Sequence, residues 1–489
     1  MQKVNFSNRQ ALHDIAATRQ LEQQAQQALP PHTLMACAGL AVARLALAIA
    51  PHAQRIWVAA GPGNNGGDGL EAALHLQRWG KHPVVSWLGN AERAPADTKI
   101  SHQKAIDAGV QFVDQPPQQI DLCIDALLGI GSQLREPAGR MADWIAHINN
   151  LGVPVLAVDV PTGLQADTGA ACASRVKASH TLSLLTLKPG LFTAHGRDLA
   201  GSVWLDDLQH GQAGAAATTP LAPSAWLAGQ PLSATRAHAS HKGSYGDVVV
   251  IGGAQGMTGA ALLAGSAALH GGAGRVYVSL LDEQTLPLDT TQPELMFRHW
   301  GTLALDNMSV VCGCGGGTAI AKHLPLLFKS AKHLVVDADA LNVIAQSAPL
   351  QALLCERGQQ QHTTILTPHP LEAARLLACS TAEVQANRLE AAQQLARRFA
   401  CTVVLKGSGT LIAQADRTPV INPTGNARLA TGGTGDVLAG LIGALLAEGL
   451  NGFDAACQAV HQHGQLADFW PQDQALTASR LAKALTASA

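Results

Sequence analysis

The first half of the chain alternates short apolar runs with longer helical patterns. The runs are rich in β-branched residues and read RIWVAA, PVVSWL, IDLCID, PVLAVD and HTLSLL. Such alternation predicts a parallel sheet with helices on both faces. We therefore expect a Rossmann-like, three-layer α/β/α domain here.

The second half repeats this kind of alternation without repeating the first half's sequence. Its predicted strands read DVVVIGGA, GRVYVSL, HLVVDADAL, TTILTPHP and CTVVLKGSGT, and its helices are predicted at Gly259–Leu269, Thr381–Phe399 and Gly435–Ala447. Between the halves, QHGQAGAAATTPLAPS shows no apolar period and is typical of a linker. The sequence predicts two different α/β domains, at 1–212 and 225–489, joined by a linker at 213–224.

Composition narrows the class of protein. The 489 residues are 47% apolar, 14% charged and 4% aromatic, with a formal net charge of -2. No basic stripe with interleaved aromatics favours nucleic acid. The polar N-terminus lacks a signal-peptide pattern, and LMACAGLAVARLALAIA, interrupted by Arg44, predicts a buried helix. We expect a cytoplasmic protein that binds no membrane and keeps its nine cysteines reduced.

The stretch GPGNNGGDG contains the G-x-G-x-x-G pattern of dinucleotide-binding loops, at Gly61, Gly63 and Gly66. That fingerprint also needs a carboxylate about twenty residues later to hold the ribose hydroxyls. The next apolar run, HPVVSWLGN, ends without one. A plain NAD-dependent dehydrogenase is therefore disfavoured.

Three polar clusters follow predicted strands of the first half: GPGNNGGDG, DALLGIGSQLREP and DVPTGLQADTG. The carboxyl ends of parallel strands form the ligand-binding edge of an open sheet. Oxygen atoms of Asn65, Asp125 and Thr162 would suit a hard cation, and one carboxylate among neutral oxygens favours a monovalent ion. The alternative is that these are ordinary turn residues, since Asn, Asp and Gly are common turn formers.

These three motifs, in this order, resemble the YjeF N-terminal domain, the NAD(P)H-hydrate epimerase. The resemblance implies K⁺ on Asn65, Asp125 and Thr162. We expect Asp125 to act as the general base, with Lys188 either its acid partner or a turn residue. The chain departs from the family pattern at Ile130 and in ACAG, Ala36 to Gly39. The implied substrate contacts are Asn64, Asn65, Gly66, Gly67, Asp68, Gly129, Ile130, Gly131, Ser132, Gln133, Leu134, Arg135 and Asp159.

The second half carries the sharpest signal, ATGGTGDVLAG, which runs directly into an apolar helix. Glycines allow backbone N–H groups to turn toward an anion, and a helix N-terminus favours negative charge. A carboxylate at this place suits an acceptor for a hydroxyl proton during phosphoryl transfer. We therefore predict that Asp436 is catalytic; the alternative is a helix N-cap.

Other strand ends of the second half carry supporting loops. LKGSGT offers a cation, glycines and hydroxyls for a nucleotide, VCGCGGGT permits close backbone approach, and TPHPLE holds His369 between prolines. Asp337, in VVDADALN, either faces a metal or caps the next helix, and we favour the cap. The absence of G-x-x-x-x-G-K-[ST] excludes a P-loop NTPase.

These loops resemble the ribokinase-like superfamily and, within it, the YjeF C-terminal domain, the ADP-dependent NAD(P)H-hydrate dehydratase. The resemblance implies Mg²⁺ and ADP. Cys314 and Arg428 depart from the family's loop patterns. Implied hydrate contacts are Ala260, Gly315, His369 and Asp436, and implied nucleotide contacts are Lys406, Gly407, Ser408, Gly409, Thr410 and Gly435.

Together the two resemblances imply repair of hydrated nicotinamide nucleotides. The first domain would interconvert R- and S-NAD(P)HX, and the second would dehydrate S-NAD(P)HX to NAD(P)H, giving AMP and phosphate from ADP. The substrates would be NADHX and NADPHX, and related domains assemble, so we expect a homo-oligomer. The alternative is a kinase for a vitamin-precursor alcohol fused to a non-catalytic nucleotide-binding domain.

Overall fold

The computed structural model describes residues 1–130, 135–208, 221–231, 236–282, 284 and 288–486. Two compact units are present: Met1–Asn5 with Gln10–Ala225, and Phe6–Arg9 with Trp226–Ala489. Both are α/β, so the predicted class, a Rossmann-like domain fused to a ribokinase-like domain, is confirmed. The linker at 213–224 stays a prediction, because 213–220 lie outside the described residues.

The elements of the first unit follow the alternation of the sequence. The five runs noted above form β3, β4, β6, β7 and β8. The strands are β1 (Gln2–Lys3), β2 (Gln10–Leu12), β3 (Arg55–Ala60), β4 (His82–Trp87), β5 (Gln111–Phe112), β6 (Leu122–Ala126), β7 (Val155–Val158), β8 (His180–Leu184) and β9 (Ser202–Asp206). The helices are α1 (Ile15–Ala28), α2 (Thr33–Ile49), α3 (Asn64–Arg78), α4 (Ala96–Asp107), α5 (Arg140–Asn150) and α6 (Gly196–Leu199).

The sheet of the first unit has the order β1-β9-β8-β7-β6-β3-β4-β5. Its pairs are parallel apart from β1 with β9. The chain leaves β3 toward β4 on one side and later resumes with β6 on the other. A crevice at the carboxyl edge is expected at such a reversal, and it lies where the loops after β3 and β6 meet.

The apolar stretch around Arg44 forms α2, which is largely buried as predicted. It lies close against α3, because a Cβ atom added at Gly39 would stand 2.4 Å from Glu71 Cβ. Among the described helices, none alone has the length and apolar character needed to cross a bilayer. By length and composition only, α1 and α2, bent at 115°, meet that test as a pair.

The second unit contains the remaining elements. Its strands are β10 (Ala225–Leu227), β11 (Asp247–Gly252), β12 (Arg275–Leu280), β13 (Met296–Phe297), β14 (Ser309–Cys312), β15 (His333–Val336), β16 (Thr363–Leu366), β17 (Thr402–Leu405), β18 (Leu411–Gln414) and β19 (Arg417–Ile421). Its helices are α7 (Thr258–His270), α8 (Leu324–Ser330), α9 (Ala338–Ala345), α10 (Ala348–Gln359), α11 (Pro370–Leu377), α12 (Thr381–Ala386), α13 (Arg388–Phe399), α14 (Thr434–Ala447), α15 (Gly452–Asp468) and α16 (Ala478–Ala484).

The second sheet runs β13-β12-β11-β14-β15-β16-β17-β18-β19-β10. It is parallel from β13 to β17, then β18 and β19 pair antiparallel. After β11 the chain adds β12 and β13 on one side of it and then continues with β14 on the other side. Because the strands from β11 to β17 are parallel, the loops after β14, β15, β16 and β17 lie along one edge. The predicted phosphate loops therefore share that edge.

One predicted helix is wrong in detail. The sequence pattern predicted a single helix over Thr381–Phe399, but the structure has α12 and α13 with a break at Asn387. The backbone of Asn387 is not helical (φ -146°, ψ 80°), and its side chain accepts the N–H of Glu390, so it caps α13. An asparagine side chain that replaces a backbone partner ends one helix and begins the next.

Candidate functional site

A cavity of about 440 Å³ lies at the carboxyl edge of the first sheet. Polar groups enter it from α1, from the start of α3 and from the loops after β6, β7 and β8. Its described lining residues are Thr18, Arg19, Glu22, Gln26, Leu34, Met35, Ala38, Pro62, Gly63, Asn64, Asn65, Asp68, Asp97, Leu127, Leu128, Gly129, Ile130, Asp159, Leu184, Leu185, Lys188 and Leu208.

Several predicted contact residues meet in this cavity: Asn64, Asn65, Asp68, Ile130 and Asp159 are part of the lining, as is Gly129. Gly66 and Gly67 are buried beneath it at the start of α3. Arg135 is exposed and lies outside the lining. Gly131, Ser132, Gln133 and Leu134 lie outside the described residues.

Gly66 is required by close approach of the backbone. A Cβ atom there would lie 2.0 Å from the carbonyl oxygen of Gly61. Because real Cβ atoms do not come this close to backbone, any larger residue would displace the loop after β3. The motif therefore brings Asn64 and Asn65 to the cavity through a turn that only glycine allows.

The polar face of α1 was missed by the sequence analysis. Thr18, Glu22 and Gln26 recur every four residues and therefore share one helix face, and all three line the cavity with Arg19. That spacing was the available signal. Burial, followed by the charge of Asp159, raises the pKa of Glu22 above its usual value.

Asp125 is fully buried at the end of β6. Thr162 donates from its backbone N–H to Oδ2 (2.9 Å) and from its hydroxyl to Oδ1 (2.7 Å), and Leu127 N–H also donates to Oδ1 (3.2 Å). Burial raises the pKa of Asp125 to about 6, although these hydrogen bonds lower it. The described lining of the cavity includes Leu127 and Leu128 but not Asp125 or Thr162.

Asp159 and Lys188 form a buried ion pair in the cavity lining. The ammonium group of Lys188 donates to Asp159 Oδ1 and to the carbonyl oxygen of Leu184 (2.7 Å). Lys188 is fully buried. The alternative that Lys188 is an exposed turn residue is therefore wrong. Its partner is Asp159 and not Asp125, and its role as an acid stays a prediction.

A second polar centre lies at the carboxyl edge of the second sheet. Asp436 stands in the first turn of α14, whose N-cap is Gly433, so the N-cap alternative for Asp436 is wrong. Burial, followed by the charge of Asp337, raises the pKa of Asp436 to about 6, although a hydrogen bond from Cys314 lowers it. Ligand atoms of Cys314, Asp337 and Asp436 lie within 4.8 Å of one another.

Asp337 joins this centre instead of capping α9. It occupies the N-cap position without a side-chain cap bond, so the favoured cap prediction is wrong. Its Oδ1 accepts hydrogen bonds from Lys406 Nζ (2.7 Å) and from the hydroxyl of Thr367 (2.7 Å). Burial lowers the pKa of Lys406, but attraction by Asp337 and Glu372 outweighs it and raises that pKa overall. The ammonium group of Lys406, held in place by Asp337, is therefore close enough to Asp436 to affect its pKa.

His369 begins α11 as its N-cap residue. Its Nδ1 accepts the backbone N–H groups of Leu371 (3.1 Å) and Glu372 (3.3 Å), while Glu372 accepts the His369 N–H (2.7 Å). Accepting at Nδ1 leaves the proton on Nε2 in the neutral ring. Burial lowers the pKa of His369, so a neutral, half-exposed imidazole is presented at this edge.

The remaining predicted contacts lie beside these groups. A Cβ atom at Gly435 would stand 3.3 Å from Lys406 Nζ, and one at Gly315 would stand 2.9 Å from Ala260 Cβ. The Thr410 hydroxyl donates to the Gly407 carbonyl (3.0 Å) and closes the loop after β17. That loop also contains Ser408 and Gly409, of which Ser408 is exposed.

His463 was missed by the sequence analysis. It is buried on α15, and its Nε2–H donates to the carbonyl of Thr434 (3.0 Å) at the start of α14. Burial lowers the pKa of His463 to about 4. Nothing local distinguished it among 20 histidines, because the partner is 29 residues away.

Comparison with known proteins identifies both halves. Residues 31–190 match the family model of the YjeF-related protein N-terminus, and residues 248–487 match the model of NAD(P)H-hydrate dehydratase. The chain is 36% identical to the bifunctional NAD(P)H-hydrate repair enzyme Nnr of Escherichia coli (strain K12), over 89% of this chain and 85% of that protein.

Other relatives agree along the whole length. The enzyme of the same name from Coxiella burnetii is 35% identical over 95% of this chain and 94% of its own. Among solved structures, the ADP/ATP-dependent NAD(P)H-hydrate dehydratase of Bacillus subtilis, crystallised with ATP and Mg²⁺, is 31% identical. It covers 51% of this chain and 91% of its own, with a TM-score of 0.44. On its two family models and its full-length relatives, the chain belongs to the family of bifunctional NAD(P)H-hydrate repair enzymes.

Proposed function

We propose that the second domain dehydrates S-NAD(P)HX at the expense of ADP. The observation that carries this is the half-buried Asp436 carboxylate, set at the glycine-rich start of α14 beside the Lys406–Asp337 pair. A carboxylate whose pKa lies near 6 accepts a hydroxyl proton at neutral pH more readily than an ordinary aspartate. The helix N-terminus and Lys406 favour the phosphates that meet it.

The chemistry follows from the hydrate itself. Its hydroxyl sits on a ring carbon beside nitrogen, and hydroxide is a poor leaving group. Asp436 takes the hydroxyl proton while the oxygen attacks the β-phosphorus of ADP, and AMP departs. The ring nitrogen then expels phosphate, a proton is lost from the neighbouring carbon, and NAD(P)H results. Each conversion consumes one ADP and yields AMP and phosphate.

The nucleotide is proposed to contact Lys406, Gly407, Ser408, Gly409, Thr410 and Gly435, and the hydrate to contact Ala260, Gly315, His369 and Asp436. Of the three groups that meet at this centre, the carboxylate of Asp337 offers the oxygen ligands that Mg²⁺ prefers, whereas the thiol of Cys314 does not suit it and Asp436 is needed as the base. Bound Mg²⁺ would neutralise charge on the phosphates.

The first domain is proposed to interconvert R- and S-NAD(P)HX. A chiral dehydratase site accepts one epimer, and the other must be converted before it can be repaired. The substrate contacts are proposed at Asn64 to Asp68, Gly129 to Arg135 and Asp159. The cavity between these loops and α1 is large enough for a substituted pyridine ring.

K⁺ is proposed at Asn65, Asp125 and Thr162. The residues fit it: the three donors to Asp125 are neutral groups, so its buried charge gains from a cation. Asn65 would offer its side-chain oxygen Oδ1, since its amide nitrogen, which is buried without a partner in the described part of the chain, is a donor and cannot bind a cation. K⁺ would hold the loops after β3, β6 and β7 together. At pH 8, KCl should raise the unfolding midpoint of the wild type more than tetramethylammonium chloride does, and Asp125→Asn should abolish that difference.

The experiment is an absorbance assay for NADH regenerated from an equilibrated mixture of both hydrate epimers, with ADP, Mg²⁺ and K⁺. Full recovery faster than spontaneous epimerisation supports both activities. If ADP gives no recovery of NADH, and if an added vitamin-precursor alcohol is converted to a phosphate ester, the kinase alternative would be supported instead. We also propose a cytoplasmic homo-oligomer, which sedimentation and fractionation would test.

A further inference from the structure

The epimerase cavity contains one buried acid–base pair among its described lining residues, Asp159 with Lys188. Lys188 is fully buried, and its ammonium group is held by the carbonyl oxygen of Leu184 and, at 3.3 Å, by the hydroxyl of Ser183. Burying a lysine is costly unless it is paired and hydrogen-bonded. A fully buried lysine in the lining of a cavity is poorly explained by stability alone.

Asp159 also has an unusual backbone. Its φ is 66°, in the left-handed region that a non-glycine residue rarely adopts. The conformation is fixed by its N–H, which donates to the Leu182 carbonyl (2.8 Å), and by the Leu184 N–H, which donates to Oδ1 (3.2 Å). Strain of this kind persists where the surrounding structure imposes it, and often marks a functional site. Here it directs the carboxylate to Lys188.

We infer that Asp159 and Lys188 form the proton-transferring pair of the epimerase, and that Asp125 does not take part in proton transfer. This rests on the proposed epimerase function and names the groups that perform it. Both members of the pair line the cavity, whereas Asp125 directs both carboxylate oxygens to donors in its own loops. Asp125 is instead a positioning residue that joins the loops after β6 and β7.

The step balances without an added oxidant or reductant. The ammonium of Lys188 gives a proton to the ring hydroxyl, the carbon–oxygen bond breaks, and water leaves. The lone pair of the ring nitrogen forms the carbon–nitrogen double bond, which leaves a cationic ring. Water then adds to the opposite face, its proton returns to the Lys188 amine, and the other epimer results. The Asp159 carboxylate stabilises the ammonium at the start and the cationic ring after transfer.

The charges around the cavity favour that cation. Glu22, Asp68, Asp97 and Asp159 contribute four carboxyl groups to the lining, against the two basic side chains Arg19 and Lys188. Burial raises the pKa of Asp68 and that of Glu22, so the excess of negative charge is smaller than this count. A lining of this sign repels phosphates and attracts a positively charged ring. The reacting ring, not the pyrophosphate of the nucleotide, is therefore expected to occupy this part of the cavity.

The test measures epimerisation alone, without ADP, so that the dehydratase is idle. NADHX enriched in the R epimer is prepared by consuming the S epimer with ADP and a single-domain dehydratase that has no epimerase half, and its return to equilibrium is followed by chromatography. Asp159→Asn and Lys188→Met are each expected to lose at least about a hundredfold in rate. Their affinity for the hydrate, measured by equilibrium dialysis, is expected to stay within about tenfold of the wild type, which also shows that the domain is folded.

Two further variants separate the pair from its surroundings. Glu22→Gln removes another carboxyl group from the same lining, so it should lower the rate, but by less than Asp159→Asn does, because Glu22 is not bonded to Lys188. Asp125→Asn, which retains the Asp159–Lys188 pair, should lower the epimerisation rate by less than Asp159→Asn does in the same buffer. The inference is overturned if Asp159→Asn turns over within about tenfold of the wild type, or if its rate falls only as far as its affinity does. Absence of epimerisation by the wild type would contradict the proposed function and the pair with it.

Discussion

In the second domain, the pKa of Asp436 depends on its partial burial and on the charged side chains next to it. Asp436 lies near Asp337, which opposes its ionisation, while Lys406 partly compensates. Lys406 is bonded to Asp337 at 2.7 Å, so its positive charge only partly offsets the burial of Asp436. Asp436 is therefore a stronger base than an exposed aspartate, although it is a much weaker base than hydroxide.

The pH dependence of dehydration should reflect Asp436. A base acts in its deprotonated form, so kcat/KM should rise with pH through about 6, instead of near the ordinary aspartate value of 3.8. Asp436→Asn should lower kcat by about a thousandfold and remove that limb. Initial rates between pH 5 and 8 check this, and a limb that survives in the variant would assign it to another group.

The same carboxyl should affect stability with the opposite sense. A raised pKa means that the folded state disfavours the ionised form, so stability falls as pH rises from about 4 to about 6. Asp436→Asn should therefore raise the unfolding midpoint more at pH 8 than at pH 5. Differential scanning calorimetry at both values measures the effect, and equal shifts at the two would contradict it.

Removing Lys406 should damage both stability and nucleotide binding. Lys406→Met leaves the buried Asp337 without its cation, which is more harmful than losing both members of the pair. We expect KM for ADP to rise by about tenfold or more, and the unfolding midpoint to fall. The double variant Asp337→Asn, Lys406→Met should unfold at a higher temperature than the single variant. A double variant that is less stable than the single one would show that the unpaired charge of Asp337 is not the cause of the instability.

Which residues reach a site was only partly predictable. The loops after β3, β6 and β7 were correctly placed at one edge, because parallel strands end together. Lys188 could not be paired with Asp159 from the sequence, since 29 residues separate them and only the pairing of β7 with β8 brings them close. The orientation of Asp125 toward Thr162 depends on hydrogen bonds between loops, which leave no periodic signal.

Elements of the second domain are positioned by close helix packing. Gly440 of α14 lies against α7, since a Cβ atom there would stand 2.1 Å from the carbonyl oxygen of Ala264. Because that oxygen belongs to the backbone, α7 would have to move. α7 carries Ala260, and α14 carries Gly435 and Asp436, so this contact fixes both sides of the proposed hydrate site.

Gly440→Ala should therefore destabilise the protein by about 1–3 kcal/mol through overpacking. Gly259→Ala is the matched control on α7, because no atom lies within 4 Å of the Cβ it would add. Better helix propensity should make that change neutral or stabilising by about 1 kcal/mol. Chemical denaturation compares the two, and equal effects would show that the packing argument is wrong.

Element boundaries were predicted best where the pattern ends in glycine. α7 and α14 begin and end within a residue of the predicted limits. The break between α12 and α13 was missed because Asn387 leaves the apolar spacing intact on either side. A single capping side chain, with no proline or glycine nearby, changes the backbone without changing the pattern.

The whole molecule combines two reactions whose shared substrate is a small diffusible nucleotide. Neither proposed site needs a residue from the other domain for its chemistry. The family is named for bifunctional enzymes. The name fits this chain, because each half has its own parallel sheet, its own reversal of strand order and its own buried aspartate.

Two inactive full-length variants should therefore complement each other. An equal mixture of Asp159→Asn and Asp436→Asn is expected to recover all NADH from both epimers, at about half the wild-type rate per total chain. Alone, Asp159→Asn should convert the R epimer only as fast as it epimerises spontaneously. Alone, Asp436→Asn should leave both epimers unrepaired. NADH absorbance follows the recovery. Failure of the mixture would mean that one chain must perform both steps.

The discontinuity of the second unit limits how the gene can be divided. Phe6–Arg9 belongs to that unit, with Arg9 stacked 4.2 Å above the Trp226 ring and the Phe6 carbonyl accepting the Gln230 N–H at 2.8 Å. A ribosome makes this segment first and its partners more than two hundred residues later. A fragment cloned from residue 226 onward would lack its own first strip of polypeptide, although it would contain every proposed dehydratase residue.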